Sequence, residues 1–437
     1  MKQIIKKIVG GRILNAYHLI LAYIATLFYG FPSKKIIVIG VTGTKGKTST
    51  ANFIWSALTG CGIKTGIIST ANIRIGDEEK VNDFHMTMPG RFSIQRHLKK
   101  MVDLGCECVV VEITSQGLAQ NRHKGIDFDI AVFTNLTPEH IESHGNFENY
   151  KQAKSILFDI LSRSKNKFFK GQEIKKTIIA NADDDNADYF LSFKAEQKIS
   201  FSVNKVSDMQ AKNITEIEGK VNFLLNDKKI EISIPGQFNI WNALPGIAIA
   251  KVLNLNIDSA IAGIKKITNI PGRMEEIPCG LGFRVFVDYA HEKNSMTWAV
   301  KTARNLAGTN KVIMLLGAEG GGRDKIKRSD MGEIVGRDAD YVVCSNVDPY
   351  EDDPFPIADD IAKVAEKFGK IREENLFVIL DRREGIKKAL SLAKRGDVVM
   401  FTGKGAEQTM ILGGETIPWD DRKVVREEIE LLNKIKK

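Results

Sequence analysis

The run Gly40-Val-Thr-Gly43-Thr44-Lys45-Gly46-Lys47-Thr48-Ser49 combines spaced glycines with lysines and hydroxyls. Those residue types suit one kind of chemistry, the holding of phosphate. Backbone N–H groups of such a turn point at phosphate oxygens, and the positive end of a following helix adds to the potential. Lys47 is placed to reach the terminal phosphates and the Thr48 hydroxyl to hold Mg²⁺. Val41 stands where the strict G-x-x-x-x-G-K-[ST] spacing has its first glycine, so the turn is the tighter G-T-x-G-K-T form. A nucleotide site over Gly43, Thr44, Lys45, Gly46, Lys47, Thr48 and Ser49 is the reading.

Polar residues recur at the ends of later apolar runs, where open parallel sheets place their ligands. Glu112-Ile-Thr114-Ser115-Gln116 closes one run and Asn135-Leu-Thr-Pro-Glu139-His140 the next. A carboxylate and an imidazole beside the phosphates could complete a Mg²⁺ site. Lys154 falls in an amphipathic helical pattern, and periodicity leaves it on the surface. Farther on, Gly272-Arg273-Met-Glu275 and Val287-Asp288-Tyr-Ala-His291 flank a strand pattern. Gly317-Ala-Glu-Gly320-Gly-Gly-Arg323 and Gly403-Lys-Gly405 follow others. Taken singly such glycine clusters are turns; together they line the strand ends of one sheet and predict a cleft.

The 437 residues correspond to about three domains at roughly 150 residues each. With 43% apolar and 27% charged residues the chain is globular, not disordered, collagenous or coiled-coil. A net charge of +9, spread along the chain, fits anionic small molecules and does not argue for nucleic acid. The cysteines, Cys61, Cys106, Cys108, Cys279 and Cys344, are odd in number and have no C-x-x-C spacing, which predicts free thiols in a reducing cytoplasm.

Strands alternating with helical patterns predict an α/β protein: a P-loop central domain with a mostly parallel sheet over 36–269, and a Rossmann-like α/β C-terminal domain over 270–437. Between Lys176 and Pro235 short alternating runs suggest an added antiparallel patch. Residues 1–35 form a helical segment. Lys2, Lys6, Lys7 and Arg12 precede the apolar run Ile13 to Phe31, the layout of a signal anchor. Asn15 and His18 interrupt it, and Tyr17, Leu21, Ile24 and Phe28 recur at helical spacing, so a helix docked on a domain by that face is expected. A membrane-surface helix is the second reading and a span the third.

The turn GTKGKT, the segment Glu112 to Arg122, TNLTPEH, Tyr150–Lys154, GQFNIWN, GRME, DYAH and GKGAE stand in the order seen in Mur ligases. The chain resembles that family from Ile36 to Arg426, and most of all the type that adds the third peptide residue to a UDP-N-acetylmuramoyl-dipeptide. The resemblance implies ATP- and Mg²⁺-dependent amide formation in the cytoplasm by a monomer, on a muramoyl-dipeptide and an amino acid. It implies catalytic roles for Lys47, Lys154, His140 and Arg273, and metal ligation by Thr48, Glu112, His140 and a carbamylated Lys154. Asn239 and Asn242 match adenine-side positions; Arg273, Asp288 and His291 match residues that close over the nucleotide. Thr87, Thr114, Gln120 and Arg122 match the dipeptide positions, and Arg323, Asp348, Gly403 and Glu407 those around the incoming amino acid.

The chain departs from the family pattern at four places. Thirty-five residues stand where a uridine-binding domain is usual, and Met88 replaces a threonine. Val347-Asp348-Pro349-Tyr350 replaces D-N-P-R, and Ala406 replaces the histidine of GKGHE. Losing that arginine removes a bidentate partner for a carboxylate. A related ligase on a lipid-linked muropeptide or a folylpolyglutamate-type acceptor is the alternative, with peripheral membrane contact through residues 1–31; a silent nucleotide-binding scaffold is the non-enzymatic one.

Overall fold

The structure is a computed structural model that describes residues 11–435 apart from 77, 83–86, 139–143 and 323–324. His140 and Arg323 lie outside the described residues. The chain divides into two compact units, one running to Ile267 and one from Thr268 onward together with Glu216–Val221 and Ile234–Gln237.

The first unit is built on a nine-stranded sheet. Its strands are β1 (Ile37–Thr42), β2 (Thr65–Ile68), β3 (Asn72–Ile75), β4 (Glu78–Val81), β5 (Cys108–Glu112), β6 (Ile130–Phe133), β7 (Thr177–Asn181), β8 (Gln197–Ser202) and β9 (Met209–Gln210), in the order β9-β8-β7-β6-β1-β5-β2-β3-β4. All pairings from β9 across to β2 are parallel, and β3 and β4 add an antiparallel edge. Every residue of β1 and β5 is buried, which is why both read as unbroken apolar runs: helices cover both faces of a parallel sheet. Strands β7 and β8 thus continue the main sheet in parallel, contrary to the antiparallel patch expected there. Only Lys212–Ile217, Lys220–Leu225 and Lys228–Ile232 form a separate three-stranded sheet.

Helix α1 (Gly11–Phe28) packs on α2 (Arg91–Asp103) by its small residues, not its large ones. The P-loop helix Lys47–Gly60 precedes α2, and α3 (Phe147–Arg163) and α4 (Asn239–Val252) follow it. Ala22, Ala25 and Thr26 of α1 are buried, while Tyr17, Ile24 and Phe28, three of the four residues expected to form the docked face, are 55%, 49% and 74% exposed. The reason is steric. Gly125 has its backbone against Thr26, with a Cβ there falling 1.9 Å from Thr26 Oγ1, and so close an approach admits only small side chains. Among the described residues no helix is long and apolar enough to cross a membrane.

The second unit holds a six-stranded sheet of β10 (Glu275–Glu276), β11 (Arg284–Val287), β12 (Val312–Leu316), β13 (Tyr341–Cys344), β14 (Leu376–Val378) and β15 (Val398–Phe401), ordered β10-β11-β15-β12-β13-β14. All its pairings are parallel except β10 with β11. Under this sheet Arg382 and Asp421 form a fully buried ion pair, with Arg382 Nε 2.8 Å from Asp421 Oδ1. Arg382 also donates to the carbonyls of Asn346 and Thr402, and Trp419 Nε1 donates to the same carboxylate. Stripping a buried charge of its partner is costly, so Asp421→Asn is expected to lower the unfolding free energy by about 3–5 kcal/mol, measured by chemical denaturation.

All five cysteines are free. Burial pushes the Cys108 thiol up, and that of Cys344 up to about 12, so neither is poised for thiolate chemistry.

Candidate active site

The turn after β1 is held open for a ligand by its neighbours. Gly46, at φ +78°, caps the helix Lys47–Gly60, and a Cβ there would fall 2.4 Å from Asn242 Oδ1. Gly43, at φ +150°, would place a Cβ 1.9 Å from Thr134 Oγ1, so only glycine fits both backbone and space. Asn135 clamps the turn by accepting from Lys45 N at 2.8 Å and donating to Lys45 O at 3.1 Å. Thr134 Oγ1 donates to Lys45 O at 2.7 Å. Both stand in TNLTPEH, whose place after an apolar strand marks a ligand end of the sheet without showing that these two side chains grip the phosphate turn. Ser49 is buried just inside the helix.

Lys47 Nζ donates to Thr44 O at 2.8 Å, folded back over its own loop. The Thr48 hydroxyl donates to Glu112 Oε2 at 2.9 Å, and the same oxygen accepts from Thr70 N at 2.8 Å and Thr70 Oγ1 at 2.9 Å. Glu112 is 2% exposed at the end of β5. Hard oxygen donors from a hydroxyl and a carboxylate suit Mg²⁺, which keeps several waters and takes few protein ligands. Glu112→Gln keeps the shape and removes the charge, so the Mg²⁺ concentration for half-maximal phosphate release is expected to rise about 10- to 100-fold in a metal titration.

Lys154 is 1% exposed rather than on the surface. Its Nζ donates to Gly43 O at 2.7 Å and lies 4.4 Å from the centre of the Tyr150 ring. Tyr150 OH is in turn 3.2 Å from Thr44 Oγ1. As an ammonium Lys154 is a donor only; a carbamate on its Nζ would supply metal-binding oxygens.

Around the same strand ends, Thr87 Oγ1 lies 2.8 Å from Thr70 Oγ1, which ties Thr87 to Glu112. Thr114 caps a short helix by accepting from Gly117 N. Arg122 donates to Gln120 Oε1 at 2.7 Å and to Met88 O. At the start of α4, Asn242 Nδ2 donates to Asn239 Oδ1 at 3.0 Å, and Thr50 Oγ1 donates to Asn242 Oδ1 at 3.2 Å.

The second unit has its own cluster. Arg273 stacks 4.3 Å over the Tyr289 ring, and Tyr289 OH donates to Glu407 Oε1 at 3.1 Å. Lys404, 1% exposed, bridges Asp348 at 2.9 Å and Glu407 at 2.6 Å. Burial works against its charge, but Glu407 and Asp348 outweigh it and hold the ammonium above its ordinary range. The sequence reading took Lys404 as part of a glycine turn and missed this bridge. Asp288 accepts from Met274 N and Ala290 N, and burial raises its carboxyl against the pull of Arg273. His291 Nδ1 donates to Tyr289 O at 2.7 Å. Gly403, at φ +107°, lies against Val347. Among the described residues no group of three or more His, Cys, Asp or Glu forms a ready metal cluster.

A phosphate turn beside a carboxylate suited to a hard metal, with a Rossmann-like unit carrying a charged network at its strand ends, is the make-up of a nucleotide-using enzyme. Comparison with known proteins gives the family. Residues 41–250 match the Mur ligase middle domain and residues 272–405 the Mur ligase, glutamate ligase domain. The UDP-N-acetylmuramoyl-L-alanyl-D-glutamate--2,6-diaminopimelate ligase of Bacillus cereus is 35% identical over 413 residues, 94% of this chain and 81% of that one. The UDP-N-acetylmuramyl-tripeptide synthetase of Roseiflexus sp. is 34% identical over 409 residues, 92% and 80% of the two chains. A solved structure of a UDP-N-acetylmuramoyl-L-alanyl-D-glutamate--2,6-diaminopimelate ligase aligns with TM-score 0.61 at 25% identity, covering 92% of this chain and 79% of that one. The chain belongs to the Mur ligase family. It is an enzyme that forms carbon–nitrogen bonds and uses ATP and Mg²⁺.

Proposed function

We propose that this ligase adds the third amino acid to UDP-N-acetylmuramoyl-L-alanyl-D-glutamate, forming ADP and phosphate, as a cytoplasmic monomer. The observation that carries the reading is 35% identity across 94% of the chain to a relative bearing that substrate in its name. The reaction begins when the acceptor carboxylate, held by Thr87, Thr114, Gln120 and Arg122, attacks the γ-phosphorus of ATP. ADP leaves and an acyl phosphate remains. The amine of the incoming amino acid, placed by Arg323, Asp348, Gly403 and Glu407, adds to the acyl carbon, and the tetrahedral intermediate expels phosphate.

Phosphoryl transfer of this kind is mostly positioning and charge neutralisation. Lys47 and the N–H groups from Gly43 to Ser49 neutralise the phosphates, Asn239 and Asn242 hold the adenine side, and Arg273, Asp288 and His291 close over the nucleotide. Thr48, Glu112, His140 and a carbamylated Lys154 would hold Mg²⁺, which would supply Lewis-acid neutralisation of the phosphate oxygens. The test is phosphate release with the dipeptide acceptor and a panel of diaminopimelate, lysine, ornithine and no amine. Release that requires the acceptor and one amine is expected; release indifferent to the acceptor overturns the reading.

A further inference from the structure

Helix α1 presents to solvent the side that a packed helix ordinarily buries. Along its outer face run Tyr17, Ile20, Tyr23, Ile24, Leu27 and Phe28, with exposures of 55%, 57%, 54%, 49%, 68% and 74%, and Phe31 continues the row. Their spacing of three and four residues makes one continuous stripe. At 150–250 Å² per aromatic side chain, the stripe exposes on the order of 500 Å² of apolar surface, at the upper end for a monomer. The inner face cannot exchange places with it, because the Thr26–Gly125 approach admits only small residues.

The charges around the stripe indicate what covers it. Residues 1–35 contain Lys2, Lys6, Lys7, Arg12, Lys34 and Lys35 and no carboxylate. Lys34 and Lys35 are exposed directly beyond the stripe, and Lys34 Nζ lies 4.5 Å from the Phe31 ring centre. Helix α2, against which α1 packs, adds exposed Phe92 and Arg96 one turn apart. A twofold pairing of the face with itself would set these cations against one another. An apolar stripe flanked in sequence by cations and by no carboxylate complements anionic headgroups over acyl chains. We infer that α1 lies in the plane of an anionic bilayer surface, its outer stripe in the headgroup boundary and Lys34 and Lys35 on the lipid phosphates.

This docking sets the acceptor side of the enzyme at the membrane. Arg91, the first residue of α2, donates to Gln120 O, and α2 is the helix on which α1 packs. Gln120, and Arg122 bonded to it, are thus joined through α2 to the membrane-facing helix. On the ligase reading above, on which this consequence rests, the residues that hold the acceptor then stand close to the bilayer surface.

The experiment is flotation of the full chain with pure phosphatidylcholine vesicles and with mixed phosphatidylcholine–phosphatidylglycerol vesicles. Partition onto the anionic vesicles is expected to exceed that onto neutral ones by about ten-fold or more. Lys34→Glu with Lys35→Glu is expected to lower it about ten-fold, and Ile20→Ser, Leu27→Ser, Phe28→Ser together to abolish it, both with unchanged unfolding midpoints because these side chains are already in water. Flotation with neither vesicle, or flotation untouched by both variants, overturns the inference. So does a dimer in light scattering that the triple variant dissociates while vesicles bind nothing, which gives the face to a second copy. Phosphate release with the soluble acceptor, run on the same preparation, fails separately if the ligase reading is wrong.

Discussion

Replacing Lys47 by alanine is expected to cut ATP-dependent phosphate release by about 10³-fold while leaving the fold intact. Its ammonium donates to Thr44 O, a carbonyl within its own loop, so the hydrogen bond lost is local to the turn. The loop itself stays in place through Asn135 and Thr134, which do not involve the lysine side chain. The loss should therefore fall on the rate and not on stability. In single-turnover measurements the variant should still bind nucleotide through the backbone N–H groups but fail to pass on the phosphoryl group. A variant retaining most of the wild-type rate would remove Lys47 from the mechanism.

A second large effect is expected at Lys154, where the chemistry of the substitution decides between two roles. In the described geometry Lys154 ties Gly43 O to the Tyr150 ring as a cation. Arginine preserves the cation and can stack on the same ring, but it cannot carry a carbamate. If the proposed carboxylate is what the site requires, Lys154→Arg loses about 10³-fold in rate with little change in melting, and wild-type activity falls when dissolved carbon dioxide is removed. A near-normal arginine variant insensitive to carbon dioxide would return Lys154 to a purely structural tie.

Much of the architecture could be read from the chain because parallel strands covered on both faces leave an unbroken apolar signature. Ile37–Thr42, Cys108–Glu112, Val312–Leu316 and Tyr341–Cys344 are such runs, and each forms a strand. Periodicity misled where it marks an apolar face without saying what covers it. In α1 the bulky stripe and the packed stripe are different faces, and the packed one is written in Ala22, Ala25 and Thr26, residues with little hydropathy signal. Lys154 was hidden for the opposite reason. It stands on the buried stripe with Tyr150, Leu157, Phe158 and Leu161, but a lysine there counts as an interruption until Gly43 O and the Tyr150 ring are seen to receive it. Lys404 is the same case in the second unit, a charge buried against two carboxylates that lie 56 and three residues away in sequence.

In the second unit the turn carrying Arg273 and the turn carrying Glu407 touch through their glycines: a Cβ on Gly272 would lie 2.1 Å from Ala406 N, and one on Gly405 2.9 Å from Gly272 O. With no side chain between them, the two turns share one rigid seam. On the proposed mechanism, in which Arg273 serves the nucleotide and Glu407 the incoming amine, a displacement of one turn is passed directly to the other.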